Sequence, residues 1–392
     1  MMMNSWPIKI GFLTPLSTIY PFYAQHITTA WMIGMGVQSP QQSPIQFVQE
    51  YTHTGGSVIT TQAAQKLLNF DRVDVLSGLI SMKTIPEILP SLDRERRVGF
   101  FFDMGEYIPY HEHLGENIFY NSHQLWQSQY ALGYWAQKHF GDGGHVVSTL
   151  YEAGYHLNAA FYQGAAQAGG VNIHSTVIKK NTPSNMKQPL DLTDFFASLQ
   201  TTLPPYVHAI FSGDEGTQFL QQWVSHGFHK KIPLVVIETM AYPDILSDFQ
   251  HIDMSLYSAM MWNRTDESKP NQSFVKTFEK LTGQPASIYA VLGYEAGLVW
   301  RELLPHAMKR DWDTVKSLLR TQAIRGPRGE RNFHPQSGVA VPNTQIIKIN
   351  LTNNRIQQMI IEQGRGLSYD ANVFENIHTH SISGWKNPFL CV

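Results

Sequence analysis

Short apolar runs alternate with helical patches along most of this chain, and that rhythm limits what it can fold into. Ile8-Lys9-Ile10-Gly11-Phe12-Leu13 is too short for a helix and almost continuously apolar, the pattern of a strand buried on both faces. Pro15, in Thr14-Pro15-Leu16-Ser17-Thr18, ends it. Tyr23, Ile27, Ala30 and Gly34 then recur at helical spacing, with Trp31 beside them. The unit repeats. Strands are expected at 45–50, 73–78, 97–102 and 117–120, with a helix over 57–68 and another ending near Asp93. A second series starts with a helix over 123–139, turned by Gly141-Asp142-Gly143-Gly144 into a strand at 145–150. Further strands are expected at 171–178, 206–211, 233–238 and 255–262. Strands separated by helices imply parallel sheets with right-handed crossovers, here two in tandem.

In an open α/β sheet a ligand sits beyond the carboxyl ends of the strands, so the loop at 14–20 faces the expected site. It carries neither G-x-G-x-x-G nor G-x-x-x-x-G-K-[ST], which excludes the usual nucleotide cradles. Its hydroxyls (Thr14, Ser17, Thr18) and the ring of Tyr20 suit a small organic solute.

Composition narrows the classes further. The 392 residues are long for one core and favour two domains. Net charge is -2 and charged residues are 15%, with no basic stripe, so nucleic acid is not an expected partner. No run approaches the about 18 apolar residues of a membrane helix. The single cysteine, Cys391, cannot form an internal disulfide. The start of the chain shows no basic region followed by an apolar one, so it reads either as a cytoplasmic protein or as one beginning at a mature terminus.

No G-x-S-x-G elbow or reactive cysteine setting suggests catalysis, and none is expected. His111-Glu112-His113 lacks the i, i+4 spacing of H-E-x-x-H, and His378-Thr379-His380 is weaker still, so neither a metal nor a cofactor is expected.

The order of motifs resembles the type I periplasmic solute-binding proteins, in particular the branched-chain amino acid and amide-binding receptors of ABC transporters. Ile8-Lys9-Ile10-Gly11 with Pro15-Leu16-Ser17 is similar to that family's opening strand and loop. Ala63-Ala64-Gln65-Lys66-Leu67 before Val73-Asp74-Val75-Leu76-Ser77-Gly78 resembles its second helix and third strand. Gly154-Tyr155, Gly293-Tyr294-Glu295-Ala296 and Gly326-Pro327-Arg328-Gly329 with Asn332-Phe333-His334-Pro335 resemble later landmarks, so that the similarity runs over residues 8–350.

The resemblance implies two Rossmann-like α/β lobes, each a parallel sheet flanked by helices. They would be joined by a hinge crossed three times, near 120–123, 262–266 and 328–334. Lobe one would take 8–121 plus 267–327 and lobe two 122–262 plus 328–360, with 361–392 as a C-terminal extension. It also implies non-enzymatic binding of a small polar solute, an amino acid or amide, in a cleft between the lobes. The partner would be an ABC permease and the location periplasmic or extracytoplasmic; a cytoplasmic sensor acting through a partner protein is the alternative.

Several residues then become candidates. Ser81 ends a strand and serves either the ligand or a helix N-cap. Tyr155 matches the family's cleft tyrosine. Asp103-Met104-Gly105-Glu106 departs from the family, whose amino-acid binders tend to have Ala, Ser or Thr there to hold a carboxylate. Acids at that spot repel a carboxylate and favour a cation or an amide NH₂. Asp214 and Glu238 stand where the family holds a ligand amine, although Asp214 equally suits a cap for a helix beginning near Glu215. Trp262 is either a cleft wall or core.

Overall fold

The computed structural model describes residues 7–37, 43–108, 110, 114–179, 189–333, 343–368, 370–380 and 385–389. They form two compact units: Met1–Gln124 with Trp262–Ala340 and Lys386–Val392, and Leu125–Met261 with Val341–Trp385.

The first unit opens with β1 (Ile8–Thr14), α1 (Tyr23–Gly34), β2 (Ile45–Tyr51), α2 (Ser57–Asn69), β3 (Val75–Leu79), α3 (Ile85–Arg94), β4 (Val98–Asp103) and β5 (Ile118–Ser122). The strands form one sheet in the order β2-β1-β3-β4-β5, parallel throughout. β4 shows why a run such as Val98-Gly99-Phe100-Phe101-Phe102-Asp103 belongs in its middle, since every residue of it is buried. Successive side chains of a strand point to opposite faces. Phe101 joins Leu67, Leu68, Ile85, Ile88 and Leu92 from α2 and α3 on one face. Phe100 and Phe102 meet Trp31 of α1 on the other, with ring centroids 5.6 and 5.5 Å away. Each phenylalanine buried this way contributes about 1.5–3 kcal/mol.

The second unit runs α4 (Leu125–Phe140), β6 (His145–Thr149), α5 (Leu157–Gln167), β7 (His174–Ile178), α6 (Thr193–Thr201), β8 (Val207–Ile210), α7 (Gly213–Ser225), β9 (Leu234–Val236), α8 (Pro243–Leu246) and β10 (Met254–Met260). Its parallel strands lie in the order β7-β6-β8-β9-β10. This repeats the second-first-third-fourth-fifth order of the first unit. α9 (Lys269–Thr282), α10 (Ile288–Ala307), α11 (Trp312–Thr321) and a hairpin of β11 (Ile324–Gly326) with β12 (Gly329–Arg331) return to the first unit. α10 lies so close to α1 that a Cβ on Gly34 would stand 2.3 Å from the Tyr294 carbonyl oxygen, and only glycine fits. α4 and α5 meet in the same way at Gly133, where a Cβ would stand 2.1 Å from the Phe161 oxygen. β13 (Gln345–Thr352) and β14 (Arg355–Gln363) then extend the second sheet beyond β10 in antiparallel fashion, and α12 (Ala371–His380) follows. Among the described residues, no helix is long and apolar enough to cross a membrane.

The elements match the expected alternation, but the edges of the units differ from the expected spans. Residues 122–124 and the hairpin around 328–331 pack with the first unit because Arg328 and Arg331 bind Asn121, the Ser122 carbonyl and Gln124. The tail is not a separate extension. β14 completes the second sheet, and Phe374 and His378 of α12 pack on Trp126 and His156. The last segment then rejoins the first unit, where Lys386 pairs with Glu87. The chain therefore changes units after Gln124, Met261, Ala340 and Trp385, one passage more than expected.

Candidate functional site

Both sheets share a strand order whose direction reverses between the first and third strands, and ligands of such sheets bind beyond the carboxyl ends at that switch point. In the first unit the switch lies between β1 and β3, with β4 beside it.

At β1 the chain leaves the sheet through Pro15. Ser17 Oγ accepts the Tyr20 N–H at 2.9 Å, which folds the loop ahead of α1. The ring of Tyr20 stacks into an aromatic group with Phe22 and Tyr289, at centroid distances of 6.1 and 5.5 Å. At β3, Gly78 has φ 134° and lies under Leu13, so that the strand can end in Ile80-Ser81. Ser81 holds the N-cap position of the one-turn 3-10 helix Met82–Thr84, yet its hydroxyl makes no capping bond. At β4 the strand ends in Asp103, and Gly105, at φ 73°, turns the chain so that Glu106 follows on the same edge. Met104 is buried within this turn.

Asp103 and Glu106 are 1% and 0% exposed, so neither acid turns to solvent. Among the described residues, Asp103 Oδ1, both carboxylate oxygens of Glu106, Ser81 Oγ and Ser77 Oγ find no hydrogen-bond partner. Burial pushes the Asp103 carboxyl up to about 7, against the pull of the Ser122 hydroxyl, the Gly105 N–H and the Arg328 charge. Burial, reinforced by the charge of Asp103, raises Glu106 well above the usual carboxylate range. Two neighbouring carboxyls in one dry site cannot both ionise freely, so they titrate as a pair.

Another buried acid of this unit behaves differently. Glu295, fully buried, receives Arg328 Nε at 3.1 and 3.2 Å and Nη2 at 2.5 Å, and Asn121 Nδ2 at 3.1 Å. The remaining Arg328 donors reach Ser122 O at 3.0 Å and Asn121 Oδ1 at 2.7 Å. Burial alone would raise the Glu295 carboxyl, but the Arg328 charge and hydrogen bonds hold it below its ordinary value. The Gly-Tyr-Glu-Ala and Gly-Pro-Arg-Gly stretches thus meet as an ion pair, a role the sequence reading did not assign.

In the second unit the switch lies between β6 and β8. After β6, Tyr151 leads into the 3-10 turn Glu152–Gly154 and then Tyr155. The Tyr155 ring is 1% exposed and sits edge-on to Tyr151, 5.4 Å between centroids, while Trp385 covers Gly154. Ser212, at the end of β8, donates its hydroxyl to Glu152, a buried acid the sequence reading passed over. Glu238 follows β9 and is fully buried, with its carboxylate accepting the Tyr242 hydroxyl at 2.9 Å and the Met261 N–H at 3.1 Å.

The remaining candidates stand apart. Asp214 is exposed in the first turn of α7 and accepts the Gln218 side-chain amide four residues on. Its charge there suits the helix dipole. Trp262 lies in the first unit, where its Nε1 donates to Asn271 Oδ1 at 2.8 Å and its ring packs against Phe274. His111, Glu112 and His113 lie outside the described residues, as do Cys391 and the side chain of His380. Among the described residues, no three His, Cys, Asp or Glu side chains gather as a metal set.

The structure therefore brings Ser81, Asp103, Met104 and Gly105 together with Glu106 on one sheet edge, next to the loop of Ser17 and Tyr20. Tyr155 lies at the corresponding edge of the second sheet. The polar residues right after apolar strands, and for Tyr155 and the turn at 103–106 the family resemblance, marked these positions in the sequence.

No curated protein matches the chain significantly. Solved structures do. An ABC transporter substrate-binding protein from Sphaerobacter thermophilus is 19% identical, covering 92% of this chain and 99% of its own, with a TM-score of 0.77. A solute binding protein from R. palustris, solved in complex with benzoate, is 17% identical over 93% of this chain and 98% of its own, at 0.71. A leucine binding protein from Thermotoga maritima is 13% identical over 90% and 97%, at 0.67. These likenesses establish the fold. The family model described as periplasmic binding protein matches residues 7–355, nearly the whole length of both sheets, and with the shared strand order it makes this chain a member of the type I periplasmic binding protein family.

Proposed function

We propose that the protein is the solute-binding component of an ABC uptake transporter, holding a small polar organic solute, amino acid- or amide-like, without chemical turnover. It would work on the outer side of the cytoplasmic membrane and present its loaded form to a permease. The observation that carries this reading is the set of buried, unpartnered polar atoms at Ser81, Asp103 and Glu106, on the edge where a doubly wound sheet receives ligands. Native proteins leave few such atoms unpaired, so a group from outside the chain is the natural partner. The benzoate complex and the leucine binding protein among the structural neighbours support a small organic solute. We place ligand contacts at Ser81, Asp103, Met104 and Gly105, flanked by Ser17 and Tyr20, and at Tyr155 on the second sheet. Asp214, Glu238 and Trp262 have intramolecular partners of their own and are assigned no ligand contact.

A thermal-shift screen over amino acids, their amides, amines and aromatic acids tests the proposal, followed by calorimetry. One class of solute should raise the melting temperature and bind 1:1; at a hundredfold excess over Kd the gain is about 2.7 kcal/mol. It should be recovered unchanged after long incubation. A panel in which nothing binds, or a bound solute converted to product, would refute the reading.

A further inference from the structure

Among the described residues, the buried carboxylates differ in how fully their oxygens are partnered. Glu295 is saturated by Arg328 and Asn121, Glu238 holds Tyr242 and the Met261 N–H, and Glu152 receives Ser212. Asp103 keeps the Ser122 hydroxyl and the Gly105 N–H but has no partner at Oδ1, and neither oxygen of Glu106 has a partner at full hydrogen-bond geometry, although Ser81 and the Met104 N–H lie close to it; both acids are as deeply buried. Ser81 Oγ, 0% exposed and without a partner at full hydrogen-bond geometry, faces Glu106 from a different strand end.

Of the cations nearby, Arg328 is committed elsewhere, while Lys83 lies close enough to Glu106 for their charges to interact. The Arg328 guanidinium spends its donors on Glu295, Ser122 and Asn121. Lys83 lies with its ammonium 4.0 Å from the centre of the Tyr107 ring. Once ionised, the two carboxylates offer only acceptors and negative charge, which calls for a ligand made of donors. A carboxylate brings only more acceptors and like charge, whereas an ammonium, an amidinium or a primary amide brings two or more N–H groups.

We propose that Asp103, Glu106 and Ser81 form the head-group subsite for the solute and that they select a cationic or amide N–H donor over a carboxylate. This rests on the solute-binding reading above and gives that site its ligand class. It inverts the polarity that the family resemblance alone implied for this loop, where amino-acid binders hold a carboxylate.

The subsite also couples binding to protons. Empty, the pair tends to hold protons because burial raises both carboxyls, Asp103 to about 7 and Glu106 well above the usual carboxylate range. The groups facing it are Tyr120 and Ser122 from β5, the Gly105 N–H, Arg328 from the β11–β12 hairpin, and Ser81 with Lys83 from the loop after β3. Lys386 acts on Lys83 in turn. A cation entering the subsite favours the ionised carboxylates and expels a proton, so its affinity should rise with pH through neutrality. A neutral amide should show a flatter profile.

The test uses calorimetry on the full chain with butylamine, benzylamine, benzamidine, butyramide, benzamide, butyrate and benzoate. Titrations run at several pH values and in phosphate and Tris, whose different ionisation enthalpies count the protons released. Amines, amidine or amides should bind, the cations with proton release. Asp103→Asn and Glu106→Gln should weaken the cations by about 10- to 100-fold while melting no lower than the unaltered chain. Binding of butyrate or benzoate alone, or of a cation whose affinity both substitutions leave unchanged, would overturn the head-group assignment and leave solute binding standing. A panel in which nothing saturates would count against both.

Discussion

Glu295→Gln isolates a fully buried ion pair of the first unit. Glu295 and Arg328 are both 0% exposed at their side chains, and five contacts of 2.5–3.2 Å join the guanidinium to Glu295, Asn121 and the Ser122 carbonyl. An amide in place of the carboxylate keeps the volume and removes the charge, leaving Arg328 buried and uncompensated. Breaking a buried pair from one side costs about 3–5 kcal/mol, mostly the penalty of the orphaned charge. In a domain of this size, that lowers the melting temperature by about 6–20 °C. Calorimetric melting with urea titration reads it directly. The pH dependence supplies a second signature. The Glu295 carboxyl is held below its ordinary value, so its contribution is complete above the unfolded value near 4.3 and is lost as pH falls through the folded one. That acid-side loss should vanish in the variant. Adding Arg328→Gln should recover much of the stability, because the orphaned charge goes with it. A Glu295→Gln protein that loses under about 1 kcal/mol, with an unchanged acid limb, would mean the pair is hydrated and does not anchor the segment at 121–124.

Two further outcomes follow from single side chains. Tyr155→Ala should weaken solute binding by about 1–3 kcal/mol and also lower the melting of the second unit, since its ring is buried against Tyr151, whereas Tyr155→Phe should spare stability; lost stability with intact affinity would make the ring core alone. His208 is buried, bonded to Gln129 at 2.7 Å and stacked on Phe161, and burial pushes its imidazole down to about 3, so the second unit should lose stability as pH falls from 6.5 towards 3; His208→Gln should flatten that slope in acid melts, and an unaltered slope would refute the assignment.

Strands such as β1 and β4 could be read directly because a strand covered on both faces must be apolar almost throughout, and Val98 to Phe102 has no other use in a chain of this kind. The switch-point loops were legible for the same reason, since polar residues that follow such a strand at once must stand on its carboxyl edge. What escaped was pairing over distance. Arg328 and Glu295 lie 33 positions apart, and periodicity says which residues are buried, not which buried charges meet. β14 escaped because its alternation is blurred on an exposed edge, and α12 because its partners, Trp126 and His156, lie more than two hundred residues earlier. Glu238 and Trp262 drew notice as polar or aromatic groups at strand ends, but each has a local partner that no spacing announces.

Where the unsatisfied groups sit is itself informative. A buried acceptor without a donor costs about 1–3 kcal/mol, more when charged. Unpartnered buried polar atoms occur in both units, Thr149 Oγ1, Asn158 Oδ1 and Trp223 Nε1 among them, but Ser77, Ser81, Asp103 and Glu106 lie near one another on two adjacent strands, β3 and β4, and the loops that follow them. The same strands pack Phe100, Phe101 and Phe102 into both faces of the core, so the apolar body of the sheet offsets what its edge leaves unpaired. The sign of the pH effect follows. Because the Asp103 and Glu106 carboxyls are raised, the empty protein is least strained when they hold their protons, and it loses stability as pH rises from about 4 through 7. A donor ligand relieves that strain at the same strand ends, so the stabilisation it confers should grow with pH over the range in which the empty protein weakens.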